Sequence, residues 1–359
     1  MPNTDKGIKM ESLLAGTIHG MLRCEKQGRS WVVQEHQLRG NEVPCLVVRP
    51  DNRNIVYAGT RFGGLCKSID GGRNWVSIGK ETLKDKIRSI AVDPGNPASM
   101  YAGTEPAGLF VSEDEGATWR AIAAVREIAQ AKIWTYPVPT IEPHIRSIAL
   151  DEKSRRILLA AQVGGIVASD DGGESWRDLR DPVDLDVHSI QIDPRNAEVI
   201  YAATGGGERN PYPKGKPLYR SDDGGKMWRS ISDDLERHYA VPVRLDPADS
   251  QTIYLGCARG TPFSWRDRPS VADGALMRSK DSGKTWQQLN EGLPQPLQNM
   301  VECIEFDPDD PKTMAIATGG EGARYVKLEK SEVYLSSNGG DSWELILDKL
   351  PNICSLAVL

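Results

Sequence analysis

Arginines, glutamates and three of the five histidines recur at two kinds of place along this chain, and together they can do acid–base chemistry or hold a charged ligand. One set follows a repeated Ala-Gly-Thr-like phrase: His19, Arg61, Glu105, Glu208, Arg209, Arg259, Glu321 and Arg324. The other stands at the start of a repeated Ser-Ile-Ala-like phrase: Arg88, Arg146, His188 and Glu302, with His144 close by. Guanidinium forks bind carboxylate, sulfate or phosphate through paired hydrogen bonds. Imidazoles change charge near neutrality. Two carboxyls such as Glu302 and Glu321 can serve as acid and base on a glycosidic bond. The alternative reaction is β-elimination on an anionic saccharide, with His188 or His144 as base and Arg88 and Arg146 neutralising the substrate carboxylate. Opposed to both is a structural ring of Arg–Glu pairs; the histidines, which such a ring does not need, tip the expectation toward a ligand site. His19, His144 and His188 lack any local metal-ligand spacing, so neither a metal nor a cofactor is expected.

The elements that must position these residues are set by a repeat. Ser68-Ile69-Asp70-Gly71-Gly72-Arg73-Asn74-Trp75 returns as SEDEGATW at 112–119, SDDGGESW at 169–176, SDDGGKMW at 221–228, SKDSGKTW at 279–286 and SSNGGDSW at 336–343. A worn copy, CEKQGRSW, occupies 24–31. Seven of the nine tryptophans end one of these boxes. Upstream of each lies a phrase such as IVYAGT at 55–60 or VIYAAT at 199–204, and before that one such as IRSIAVDPGNP at 87–97. Each unit reads as strand, Asp-Pro turn, strand, loop, short strand, box turn, strand. Four strands in each of seven units predict one all-β domain over 1–359, a single seven-bladed β-propeller with four-stranded antiparallel blades. The first unit lacks its opening strand, and Ile353-Cys354-Ser355-Leu356-Ala357-Val358 reads as that strand displaced, so the C-terminal strand is expected to join the N-terminal blade and close the ring.

The box resembles the Asp-box, or BNR, repeat of sialidases, xyloglucan-cleaving enzymes, sortilin-type receptors and Ycf48-type photosystem assembly factors. The resemblance covers nearly the whole chain and implies the fold rather than an activity. Within the box, Asp is expected to bind turn N–H groups, Gly to supply a positive φ and Trp to pack between sheets. A calcium loop would need several alternating carboxylates, and SKDSGKTW has only Asp281. The Arg-Ile-Pro of true sialidases is missing and the unit count differs, so the resemblance does not extend to sialidase activity. It implies two functional classes: a glycoside hydrolase or lyase, or a non-enzymatic scaffold that binds a protein partner, as Ycf48-type factors do.

Function is expected where the repeat breaks, because loops on a rigid frame carry binding groups. The box tryptophans at 31, 75 and 119 are 44 residues apart, whereas later spacings are 52 to 58. The extra residues fall within 124–144, 205–217, 258–275 and 319–331, in loops expected on one face of the disc. They hold the two tryptophans outside the boxes, Trp134 and Trp265, with Tyr136, Tyr212, Phe263 and Tyr325. Such rings can stack on a sugar or simply anchor long loops. The ligand is therefore expected to be an anionic small molecule or saccharide on that face, with Trp134, Tyr212 and Trp265 among its contacts.

Composition bounds the rest. A formal net charge of −6, with 26% charged residues, argues against nucleic-acid binding and against a disordered chain. No apolar run is long enough to span a bilayer. Residues 1–10 lack the apolar core of an export signal, and Cys24, Cys45, Cys66, Cys257, Cys303 and Cys354 form no C-x-x-C pair. Reduced thiols and a cytoplasmic location are the expectation.

Overall fold

The computed structural model describes residues 10–132, 134, 142–151, 153–179, 183–206, 215–267, 272–320 and 330–359. They form an almost purely antiparallel β-structure. Five sheets have four strands each, always paired in chain order, as in Cys45–Arg49, Asn52–Gly59, Leu65–Ser68 and Val76–Ile78. A larger, eight-stranded sheet is two further four-stranded arrays joined by a single parallel bridge, Gly319 to Ile353. One of these arrays opens with Met300–Asp307. The other is made of Ile353–Val358, Ser12–Thr17, Gly20–Gln27 and Ser30–Gln37. The expected closure is thus seen: Leu13 to Gly16 pair antiparallel with Val358 to Ser355.

Among the described residues the first strands of the arrays touch in a closed cycle: Cys45–Arg49, Lys86–Val92, His144–Leu150, Val187–Asp193, Tyr239–Leu245, Met300–Asp307, Ile353–Val358 and back to Cys45–Arg49. Each array is therefore flanked on both faces, which explains why second strands such as Ile157–Gln162 are buried throughout, and apolar up to the final Gln162, instead of alternating. Close crossing also fixes small residues. A Cβ on Gly103 would collide with the Ser89 Oγ, whose hydroxyl donates to the Ile145 carbonyl of the next array at 2.7 Å.

The boxes behave as the sequence predicts. Ser68 Oγ donates to Asp70 Oδ1 at 2.8 Å and accepts the Gly72 N–H at 2.9 Å. The same Oδ1 accepts the N–H groups of Arg73 and Asn74 at 3.1 and 2.9 Å, and the Trp75 indole donates to the Gly72 carbonyl at 3.0 Å. The Asn74 side-chain amide, which donates to Asp70 Oδ2 at 2.7 Å, is foremost among the bonds that hold the Asp70 carboxyl down at about 2. In the worn first copy the box is gone: Gln27 pairs with Ser30 across a two-residue turn, with Gly28 at φ +62°.

Several box turns are also gripped by the preceding array. Arg278 NH1 and the Tyr254 hydroxyl both donate to the Gly339 carbonyl, at 2.7 and 2.8 Å. Lys67 and Tyr57 do the same to the Glu115 carbonyl at 3.5 and 3.2 Å, and Arg23 reaches the Gly71 carbonyl at 3.1 Å. In each case the cation stands one residue before the box-opening position and comes from the third strand, or in the first array from Gly20–Gln27.

Candidate functional site

The first strands enclose a cavity of ≈ 250 Å³, and a shared irregularity decides which side chains face it. Pairing of first with second strand slips by one residue between Ile87 and Ser89, Ile145 and Ser147, Val187 and Ser189, and Val301 and Cys303. The skipped residues are Arg88, Arg146, His188 and Glu302. A bulge re-aims the side chain it carries, and all four line the cavity. The slip also occurs between Ala240 and Val243 and opposite Cys354, which is skipped between Ile353 and Ser355.

At this mouth the charges are arranged in pairs. Arg146 NH2 donates to Glu302 Oε1 at 3.1 Å, and NH1 to Gln162 Oε1 at 3.1 Å; the Arg146 and Glu302 side chains are 11% and 8% exposed. Their strands are not neighbours in the cycle, so the pair spans the channel. Arg88 sits between Glu105, with Nε to Oε2 at 3.8 Å, and Glu42, with NH1 to Oε1 at 4.0 Å. Glu42 also accepts from Arg61 at 3.2 Å, and Glu105 from Lys86 at 2.6 Å. A second cross-strand pair, Arg244 to Glu305 at 3.0 Å, lines the same cavity.

The histidines are held by the same network. His144 is fully buried, with Nδ1 2.9 Å from the Glu142 carbonyl and Nε2 3.0 Å from Arg88 NH2. A carbonyl only accepts and a guanidinium only donates, so the ring is the neutral Nδ1–H tautomer with its one lone pair spent on Arg88. His144 thus positions Arg88. His188 Nδ1 donates to the Ala240 carbonyl at 2.6 Å, and its Nε2 lies 3.2 Å from Asp186 Oδ1.

Asp184 and Asp186 are functional candidates that sequence reasoning missed. The signal available was the run Asp184-Leu185-Asp186-Val187-His188 leading into a first strand. Burial pushes the Asp184 carboxyl up, and the neighbouring Asp186 charge adds to this. Burial pushes Asp186 up as well, but the His188 imidazole and, further off, Arg146 outweigh it, leaving that carboxyl below its ordinary range. Two carboxyls pushed apart in this way suit acid and base roles. Backbone packs against one oxygen of each: a Cβ on Gly205 would collide with Asp186 Oδ2, and one on Gly215 with Asp184 Oδ2.

Comparison with known proteins bears on this geometry. Residues 216–358 match the family described as Sortilin-Vps10 (Sortilin, neurotensin receptor 3). Xyloglucanase Xgh74A of Acetivibrio thermocellus is 25% identical over 229 residues, which is 55% of this chain and 25% of that protein. An oligoxyloglucan-reducing end-specific xyloglucanase of Emericella nidulans is 22% identical over 242 residues, 63% of this chain and 26% of that one. This chain thus spans about a quarter of the length of the curated relatives it matches. Among solved structures, the GH74 xyloglucanase from Xanthomonas campestris superposes with a TM-score of 0.64 at 18% identity, covering 86% of this chain and 45% of that one. YCF48 bound to D1 peptide gives 0.57 at 16% identity, covering 92% and 89%. The fold is that of the BNR-type, Asp-box propellers.

The remaining predicted residues are distributed unevenly over this propeller. Arg61 and Glu105 join the mouth network. Arg259 is drawn away to Asp273 and Glu236, each at 2.8 Å, and His19 is exposed. Arg209, Tyr212, Glu321 and Arg324 lie outside the described residues, as do Glu208, Tyr136 and Tyr325. The two loop tryptophans turn inward. Trp265 is 2% exposed, donates to the Gly260 carbonyl at 3.1 Å and meets the Tyr239 ring edge-on. Trp134 packs over Gly164, where a Cβ would stand 2.7 Å from the indole. Of the two roles the sequence left open for these rings, these contacts are those of the anchoring one. Among the described residues, the insertions contribute a helix, Ala123–Ala131, and a 3-10 turn, Pro262–Asp267.

Proposed function

We propose that this chain is a seven-bladed propeller that binds a saccharide at the insertion-bearing mouth of its channel and acts as a glycoside hydrolase. The observation that carries this reading is that independent likenesses, of sequence to xyloglucanases and of fold to a GH74 xyloglucanase, converge on one class of relative. Hydrolysis needs one protonated and one ionised carboxyl, and the opposed environments of Asp184 and Asp186 supply that pair better than Glu302, which is committed to Arg146. A neutral ligand fits the mouth better than the anionic one expected from the arginines alone. An anion must displace Glu302 from Arg146 or compete with Glu42 and Glu105 at Arg88. Elimination is the weaker chemistry, because His188 would have to leave Ala240 and Asp186 to act as a base.

Incubation with xyloglucan and its oligosaccharides, followed by reducing-end and product analysis, tests the reading. Release of new ends by wild type, lost in Asp184→Asn and Asp186→Asn with binding retained, is the expected result; no release by wild type refutes the hydrolase. The second reading, a scaffold for a protein partner, is favoured by one fact: the YCF48 match runs nearly end to end in both chains. Capture of a peptide with no saccharide binding would select it.

A further inference from the structure

We propose that the central channel is itself a binding site for one neutral sugar ring, taken end-on; this rests on the saccharide reading above. The ≈ 250 Å³ cavity has room for about eight waters at about 30 Å³ each, a volume suited to a monosaccharide unit but not to a continuous chain. Its wall is amphipathic in the way a pyranose is. Arg88 and Arg146 supply donors, Glu302 acceptors and Gln191 both, while Ile90 and Ile148 supply apolar wall for C–H faces.

Charge selects against ionic ligands. Arg146 is already paired with Glu302 and Arg244 with Glu305, so an acid or an amine entering the channel must break a pair that a hydroxyl leaves intact. A hydroxyl can donate to a carboxylate and accept from a guanidinium at once, joining an existing pair. His188 adds a specific contact point. Its side chain is 0% exposed and lines the cavity, and among the described residues its Nε2 has no aligned hydrogen-bond partner despite lying 3.2 Å from Asp186 Oδ1. A ligand hydroxyl that reaches this point can donate its single hydrogen to one of these two atoms. With its end ring in the channel, a saccharide would present its next linkage to the mouth, where Asp184 and Asp186 stand.

Two measurements separate this site from binding on the loops alone. Gln191 lines the cavity and donates to the Ile190 carbonyl at 3.2 Å, so Gln191→Trp fills the channel without touching the charge network. Calorimetric titration with polymeric xyloglucan and with its oligosaccharide digest should show the digest binding at least tenfold more tightly per unit mass, because it carries more ends. Gln191→Trp should weaken that binding at least tenfold while melting within a few degrees of wild type. In unmodified protein, saturating digest should slow the reaction of the channel-lining Cys354 with methyl methanethiosulfonate at least threefold. Should the variant not fold, this shielding decides alone. Saccharide binding that ignores both the plug and Cys354 overturns the channel site and leaves the saccharide reading standing. No binding of polymer or digest overturns both.

Discussion

The grip of one blade on the next box turn can be measured as a coupling energy. Gly339 O receives Arg278 NH1 at 2.7 Å and Tyr254 Oη at 2.8 Å, from side chains 4% and 1% exposed. A hydrogen bond from a charged donor is worth about 1.5–3 kcal/mol and a neutral one about 1 kcal/mol. Asp341, 2.6 Å from Arg278, adds little because it is 57% exposed. Arg278→Met should therefore cost about 2 kcal/mol and Tyr254→Phe about 1 kcal/mol, since each single variant leaves the carbonyl one donor. The double variant leaves it neither, which adds about 1 kcal/mol for the deserted acceptor and brings the total to about 4 kcal/mol. Urea unfolding of the four proteins reads this directly. The equivalent cycle on Lys67 and Tyr57 is an internal control: its contacts to Glu115 O are longer, 3.5 and 3.2 Å, so its coupling should be smaller. Strict additivity at Gly339, or a larger coupling at Glu115, would refute the idea that the shared carbonyl joins the blades.

Other expectations follow from the same contacts. Leu356→Ala, at a 3% exposed position in the closing strand, should cost about 2–5 kcal/mol, and a much smaller loss in denaturant would mean the closure carries little stability. Trp265→Ala should cost about 3–5 kcal/mol in the same assay; a stable variant that has lost saccharide binding would return the ring to the ligand site. The Asp70 and Asp281 carboxyls are depressed to about 2, so the box bonds they accept are fully present above the ordinary carboxylate range and are lost as pH falls toward 2. Amide protection at Asn74 and Thr285 should drop across that window, whereas Ser342, whose N–H is held by the uncharged Asn338, should not follow. Thiol titration of the denatured protein without reductant should count six free cysteines, and a count below three would contradict the reduced state expected from the sequence.

How much of this was legible before the structure depends on the range of each interaction. The boxes are local: Asp70 finds its partners within four residues, so the motif is visible as a string. Strand order was legible because the arrays are meanders, and closure because one expected strand was missing at one end and present at the other. The charge network was not. Glu42 stands outside the repeated phrases, and Glu302 reaches Arg146 from 156 residues away, so neither pairing has a sequence signature. Nor has the bulge, since a register slip exists only between two strands. The tryptophans show the same limit. An aromatic in an insertion reads alike whether it faces solvent or folds back, and what turned Trp134 inward was bare backbone at Gly164, in a different loop.

The architecture also separates what holds the ring from what can act in it. Within each array the strands alternate direction, so the start of the first strand and the loop between second and third lie at one end. The box, between third and fourth, lies at the other. The Ser–Asp–Trp bonds and the grips on box carbonyls therefore stabilise the end remote from Arg88, Arg146, His188 and Glu302. Each of these four occupies a bulge, where cross-strand pairing is already skipped, so exchanging one removes side-chain contacts without removing a ladder hydrogen bond. Substitutions at the mouth and at the boxes have no shared partners and should add nearly independently. That independence lets a common frame carry different mouths. It is a physical reason why a box repeat this regular specifies a fold and leaves the chemistry to the residues at the other end.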